Sequence, residues 1–268
     1  MPAPDWSLLL RSPAFETTAC LLGLVVGSFA NVCIHRLPRR ESVVRPPSRC
    51  PACGALIQAR DNVPLVSWLL LRGRCRACRT PISRRYPVVE AANGLLWLAL
   101  AGLQGPRAQT FVAMALVTAL LVLGVIDLDH QILPDVITLP GIAVGLAASF
   151  LPGSGVRPLA AAAAAAGGWL AFAAVAWAYE RTRGIEGLGQ GDWKLAAMLG
   201  AFLGWQGMLL AVLLASVAGT VVGLGAVGLR GRDMKHALPL GTFLGAGGIV
   251  VVFFGEAILT WYRELLGG

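Results

Sequence analysis

Charge is what this 268-residue chain has least of: Asp, Glu, Lys and Arg together make up 13% of it, against about a quarter in soluble globular domains. Hydrophobic residues make up 56%, so the shortage excludes a water-soluble protein and defines an integral membrane one. A cleavable signal peptide is also not expected. The first apolar run follows Asp5, Arg11 and Glu16 rather than a basic start, and no small-residue cleavage pattern comes after it, so it should remain as an anchor. No long-period repeat is evident, which argues against a repeat array.

What the chain does have is long apolar stretches. Runs of spanning length fall at residues 14–35, 88–104, 109–127, 136–152, 158–179, 208–229 and 238–260, and a shorter one at 193–205. The expectation is an all-α integral membrane protein of about eight transmembrane helices. Gly is abundant, with G-x-x-x-G at Gly23/Gly27, Gly141/Gly145, Gly200/Gly204, Gly219/Gly223 and Gly241/Gly245. That spacing lets helix backbones approach closely and reads as packing, as does the alanine run at 160–166.

The little charge there is lies unevenly. Residues 36–86 hold 12 arginines against Glu41 and Asp61, a net +10 that exceeds the +8 of the whole chain. By the positive-inside rule this segment is cytoplasmic. Alternation then puts the N-terminus and residues 105–107 and 152–157 outside, and residues 127–135 and 181–192 inside. If the short run after Asp192 spans, residues 230–236 are inside and the C-terminus outside.

The same basic segment carries Cys50-Pro-Ala-Cys53 and Cys75-Arg-Ala-Cys78, two C-x-x-C knuckles with 21 residues between them. This is close to the spacing that gives four thiolates to one tetrahedral zinc. Paired disulfides are the competing reading, disfavoured in a cytosol that keeps thiols reduced. Four thiolates close the coordination sphere, so the metal would be structural rather than catalytic. The chain thus divides into a first span (1–36), a small cytoplasmic four-cysteine zinc domain (37–87) and a multi-span region (88–268). A basic zinc module can bind nucleic acid, but a loop between two spans faces anionic lipid headgroups. The lipid surface is the expected partner, with no nucleic acid. Cys20 and Cys33 lie within the first span and read as small hydrophobes.

Two acids stand at membrane spans and need a reason, because carboxylates near hydrocarbon are costly. Asp127 closes an apolar run, and Asp192 sits in Gly189-x-Gly191-Asp192 just before another. Both fall at the cytoplasmic ends of their spans and could face one polar cavity. Paired carboxylates can share a proton and activate a water, which is general acid and base chemistry without a metal. Gly189 and Gly191 would let an extended backbone pass close to the pair. Asp129, two residues past Asp127, should point elsewhere, and Asp135 after Pro134 reads as an N-cap. Lys194 could pair with an acid or a headgroup. Glu90, beside Asn93 and Gly94, gives the second span a polar start that suits either a cap or a ligand site. His130 reads as an exposed loop residue, His35 and His236 as interfacial ones. A transporter or channel using the two aspartates for protons or cations is the alternative from another class, and a zinc-dependent membrane adaptor without catalysis is a third reading.

Five blocks in order resemble the bacterial type IV prepilin peptidases of pilus assembly and type II secretion: GSFANVCIHRLP (27–38), the two knuckles with NVPLVSWLLLRGRCRAC (62–78), ISRRYPVVE (82–90), DLDHQILPDVITLP (127–140) and GLGQGDWKLAAMLGAFLG (187–204). The resemblance implies that Asp127 and Asp192 are the catalytic pair of a GxGD-type aspartic protease. It implies cleavage of prepilins or pseudopilins after a glycine, then methylation of the new N-terminal amine from S-adenosylmethionine. It also implies a place in the bacterial inner membrane with the active site at the cytoplasmic face. No G-x-G-x-x-G after a strand and no soluble methyltransferase domain accompany it, so the methyl-donor site is unassigned. A leader that is itself basic should be repelled by the +10 segment, leaving recognition to the substrate's apolar helix and cleavage-site residues, with Glu41, Glu180 or Glu186 as candidate local acids.

Overall fold

The computed structural model describes residues 13–184, 189–230 and 239–266; Asp5, Arg11, Glu186, Gly187 and His236, and with them the expected loop at 231–236, lie outside the described residues. Helix dominates and, among the described residues, no strand forms beyond two isolated bridges. The helices are α1 (Pro13–Arg36), α2 (Val66–Leu70), α3 (Arg85–Gln104), α4 (Ala108–His130), α5 (Asp135–Ala148), α6 (Pro158–Arg183), α7 (Gln190–Arg230) and α8 (Leu240–Leu265).

Among the described residues, six helices are long and apolar enough to cross a bilayer, fewer than the eight runs counted in the sequence. The difference has two physical sources. Helix α5 spans only 14 residues, about 21 Å at the helical rise. The runs at 193–205 and 208–229 fall within α7, whose 41 residues are two helices meeting at Gly204, where the backbone turns to a non-helical φ 67° and ψ −178°. Only glycine adopts that backbone readily. The second span also starts earlier than its apolar run, at Arg85, because the helix continues past its apolar face.

The chain divides into two compact units, Met1–Thr118 and Ala119–Gly268. In the first, α1 packs along α3 through small residues. A Cβ at Gly23 would lie 2.9 Å from Trp97 Cβ, and one at Gly27 2.9 Å from Glu90 Cα, so the G-x-x-x-G pair is the groove in which α3 lies. A buried polar chain reinforces the contact: Asn93 Nδ2 donates to Gly23 O at 2.7 Å, and the Thr118 hydroxyl donates to Asn93 Oδ1 at 2.8 Å. Such groups must be satisfied where water is absent.

In the second unit, α7 is the central helix. Gly141 and Gly145 of α5 face Met198 and the Ala201/Phe202 pair of α7. Gly200 of α7 lies against the α6 backbone, and Gly247 of α8 against that of α7, so that added Cβ atoms would sit 2.5 Å from Ala164 O and 2.6 Å from Ala211 O. Ala196 to Leu199 are almost wholly inaccessible, forming the centre of this unit.

Candidate active site and metal centre

The four cysteines come together as the spacing predicts. Their Sγ atoms all lie within 4.8 Å of one another, and Cys50 and Cys78 Sγ are 3.8 Å apart. Tetrahedral zinc with bonds of about 2.3 Å requires sulfurs about 3.8 Å apart, so the donor set fits one such ion. The two knuckles are built alike. Gly54 and Arg79 each follow the second cysteine in left-handed backbone, φ 71° and 61°. Their N–H groups return to Cys50 O and Cys75 O, while the Cys50 and Cys75 N–H groups bond Ala55 O and Thr80 O. Glycine suits that conformation and arginine does not. The Thr80 hydroxyl and backbone amide beside Cys78 hold its thiol down to about 6. Asp61 accepts a bidentate pair of bonds from Arg76 Nε and Nη2, and that guanidinium lowers the carboxyl from its usual range.

Asp127 lies in the last turn of α4 and is 5% exposed. Its Oδ2 accepts the Thr242 backbone N–H at 2.7 Å and the Thr242 hydroxyl at 3.1 Å, and that hydroxyl also lies 2.8 Å from Gly124 O. Thr242 is in the first turn of α8, where backbone N–H groups have no partner within the helix and suit an anion. A Cβ at Gly241 would stand 3.0 Å from Asp127 Oδ2, so glycine is what lets the carboxylate reach the helix start. The Gly241/Gly245 motif, expected as packing alone, therefore also seats an acid.

Asp192 is in the first turn of α7, half-buried, with its N–H bonded to Gly189 O at 3.1 Å. It interacts electrostatically with Asp127. Leu133 wedges the two helix starts together: Cβ atoms at Gly191 and Gly241 would lie 2.8 Å and 2.9 Å from it. Gly191 thus makes room for Leu133, while Gly189 is exposed. Lys194 Nζ donates to Asp135 Oδ1 at 2.7 Å, joining the starts of α7 and α5. Asp135 is accordingly not the N-cap expected of it; Pro134 holds that position and no side-chain cap bond forms. Asp129 and His130 are exposed. Glu90 is not a cap either, because α3 begins five residues earlier; it is buried and accepts the Leu65 N–H at 2.9 Å.

No sequence motif marks Thr242, Gly241 or Leu133 as part of the site. In the sequence Gly241 stands only as half of one of several G-x-x-x-G packing pairs.

Fold and side-chain placement define a polytopic helical membrane protein with a four-cysteine cluster that could hold a metal ion and two carboxylates at helix ends. Residues 21–103 match the bacterial peptidase A24 N-terminal domain and residues 114–224 the type IV leader peptidase family. Proteins named prepilin leader peptidase/N-methyltransferase are similar over nearly the whole chain. The one from Burkholderia pseudomallei (strain 1026b) is 42% identical over 93% of this chain and 87% of its own length. That from Pseudomonas putida is 39% identical over 98% and 99%, and that from Aeromonas hydrophila 40% over 90% and 91%. The chain belongs to the prepilin leader peptidase/N-methyltransferase family. No solved structure matches it significantly.

Proposed function

We propose that this chain is a membrane aspartic endopeptidase that removes the leader of type IV prepilins or type II secretion pseudopilins after a glycine and then methylates the exposed N-terminal amine. The observation that supports the reading is that Leu133 packs against both Gly191, beside Asp192, and Gly241, beside the Thr242 that holds Asp127, so both aspartates belong to one cluster of helix ends. Family membership supports the same activity, and nothing in the site favours ion transport.

The chemistry follows from two carboxylates that cannot both ionise easily when close. One holds a proton; the other acts as general base on a water between them, and the protonated partner polarises the scissile carbonyl and later protonates the leaving amine. Thr242 holds Asp127 through Oδ2. Exposed Gly189 keeps the approach to Asp192 open for an extended backbone.

Zinc held by Cys50, Cys53, Cys75 and Cys78 supplies fold to the basic segment, not a reactive water. S-adenosylmethionine supplies an electrophilic methyl group. The chain's part is to position the new amine, whose ordinary pKa near 8 leaves a usable neutral fraction. Two concavities, one lined by Val250, Phe254 and Trp261 and the other by Phe172, Val175 and Leu244, are apolar and do not suit a charged sulfonium nucleoside; no residue is assigned to it. The protein works in the bacterial inner membrane, with its basic segment against anionic headgroups on the cytoplasmic side, where a prepilin leader also lies.

Purified protein incubated with a prepilin and S-adenosylmethionine should yield a mature product cut after the leader and heavier by one methyl group. An uncut prepilin with stable, metal-loaded protein would overturn the peptidase reading; cut but unmodified product would remove the methyl transfer.

A further inference from the structure

Helix α2 belongs to the basic segment, yet it shows apolar side chains outward. Ser67 and Trp68 hold one face: the Ser67 hydroxyl donates to Arg60 O at 2.9 Å and accepts the Val63 N–H, and the Trp68 indole donates to Ile82 O. The opposite face carries Val66, Leu69 and Leu70, at i, i+3 and i+4, exposed by 49%, 66% and 78%. Three large aliphatics on one helical stripe are not left in water without reason.

One bond fixes where this stripe sits along α3. The N–H of Leu65, at the start of α2, reaches Glu90 Oε2. Glu90 lies five residues inside α3, which starts at Arg85, so α2 starts beside a level about 7.5 Å along that spanning helix. The exposed arginines Arg72 and Arg74 follow α2 directly, and Arg84 precedes α3.

We propose that α2 is an interfacial element of the membrane, with Val66, Leu69 and Leu70 sunk among anionic lipid headgroups and the upper acyl chains beside α3. The arginines beside it meet the headgroup phosphates, the arrangement of an amphipathic element lying in the interface plane. A substrate's apolar helix is the weaker occupant, because its basic leader would have to approach a segment of net +10. The inference deepens the headgroup contact assigned to this segment and rests on α1 and α3 crossing the bilayer, not on the aspartates.

The test uses the full chain, metal-loaded, with Cys20→Ala and Cys33→Ala and a background labelling stoichiometry near zero. Val66→Cys, Leu69→Cys, Leu70→Cys and, as a control on the same module, Ala59→Cys are spin-labelled in phosphatidylcholine/phosphatidylglycerol vesicles. Collision with oxygen and with a water-soluble nickel chelate is then measured by power saturation. The oxygen-to-nickel ratio should be several-fold higher at 66, 69 and 70 than at 59, at every protein-to-lipid ratio, and should fall at those three sites in pure phosphatidylcholine. Equal ratios at all four sites would overturn the proposal. So would protection that depends on protein density, which marks a second copy, or that arises only when prepilin is added. Because no cleavage is read, an inactive enzyme leaves the outcome interpretable.

Discussion

Thr242→Val is the perturbation that isolates how Asp127 is held. The substitution keeps the side chain's volume and β-branching and keeps the backbone N–H that donates to Oδ2 at 2.7 Å. It removes only the hydroxyl, which lies 3.1 Å from Oδ2 and 2.8 Å from Gly124 O. A hydrogen bond to a charged group contributes about 1.5–3 kcal/mol. If that bond serves to orient the carboxylate for the transition state, kcat should fall by about 10- to 100-fold with KM little changed. Thr242→Ser, which restores the oxygen, should recover most of the loss. The assay is cleavage of a purified prepilin under saturating and subsaturating substrate, with metal content and thermal stability measured on each variant. A Thr242→Val enzyme with unaltered kcat would refute the reasoning. So would a Ser variant as impaired as the Val one, since the hydroxyl would then not be the group that matters.

Glycines on helix contacts should separate sharply from those that are free. Gly200→Ala would drive a Cβ to 2.5 Å from Ala164 O, a backbone atom that cannot step aside, and should lower stability by about 1–3 kcal/mol, whereas Gly167→Ala meets nothing within 4 Å and should be neutral or stabilising by up to about 1 kcal/mol; thermal unfolding in detergent measures both. Arg79→Gly relieves the left-handed backbone at φ 61° and should strengthen metal retention against a competing chelator, while Gly54→Arg should weaken it. Cys50→Ser or Cys75→Ser should reduce metal from about one per chain and lower stability together; full metal content after loss of either knuckle would break the four-thiolate assignment.

The cysteine module was legible because its ligands come in two short, self-contained turns whose spacing alone specifies four donors near a point. Even so, the left-handed Arg79 was not, since no side-chain pattern marks it. The two aspartates stood out through their cost in an apolar context and their attached motifs. Their setting did not. Thr242 is 115 residues from Asp127, and Lys194 pairs with an acid 59 residues away. Both partnerships are set by how α7 and α8 are placed, which hydropathy does not encode. Apolar runs mark where a helix can lie in lipid, and the runs on either side of Gly204 are two helices that meet there, but Pro134, not Asp135, holds the N-cap position of α5.

The most direct test of the central claim is prepilin cleavage by Asp127→Asn, Asp192→Asn and the double variant, each inserted and metal-loaded. The pair acts as one unit, so each single replacement should abolish detectable cleavage and the double should cost little more, while Asp129→Asn, at an exposed position, retains activity. Near-normal cleavage by a well-folded Asp192→Asn protein would contradict the account.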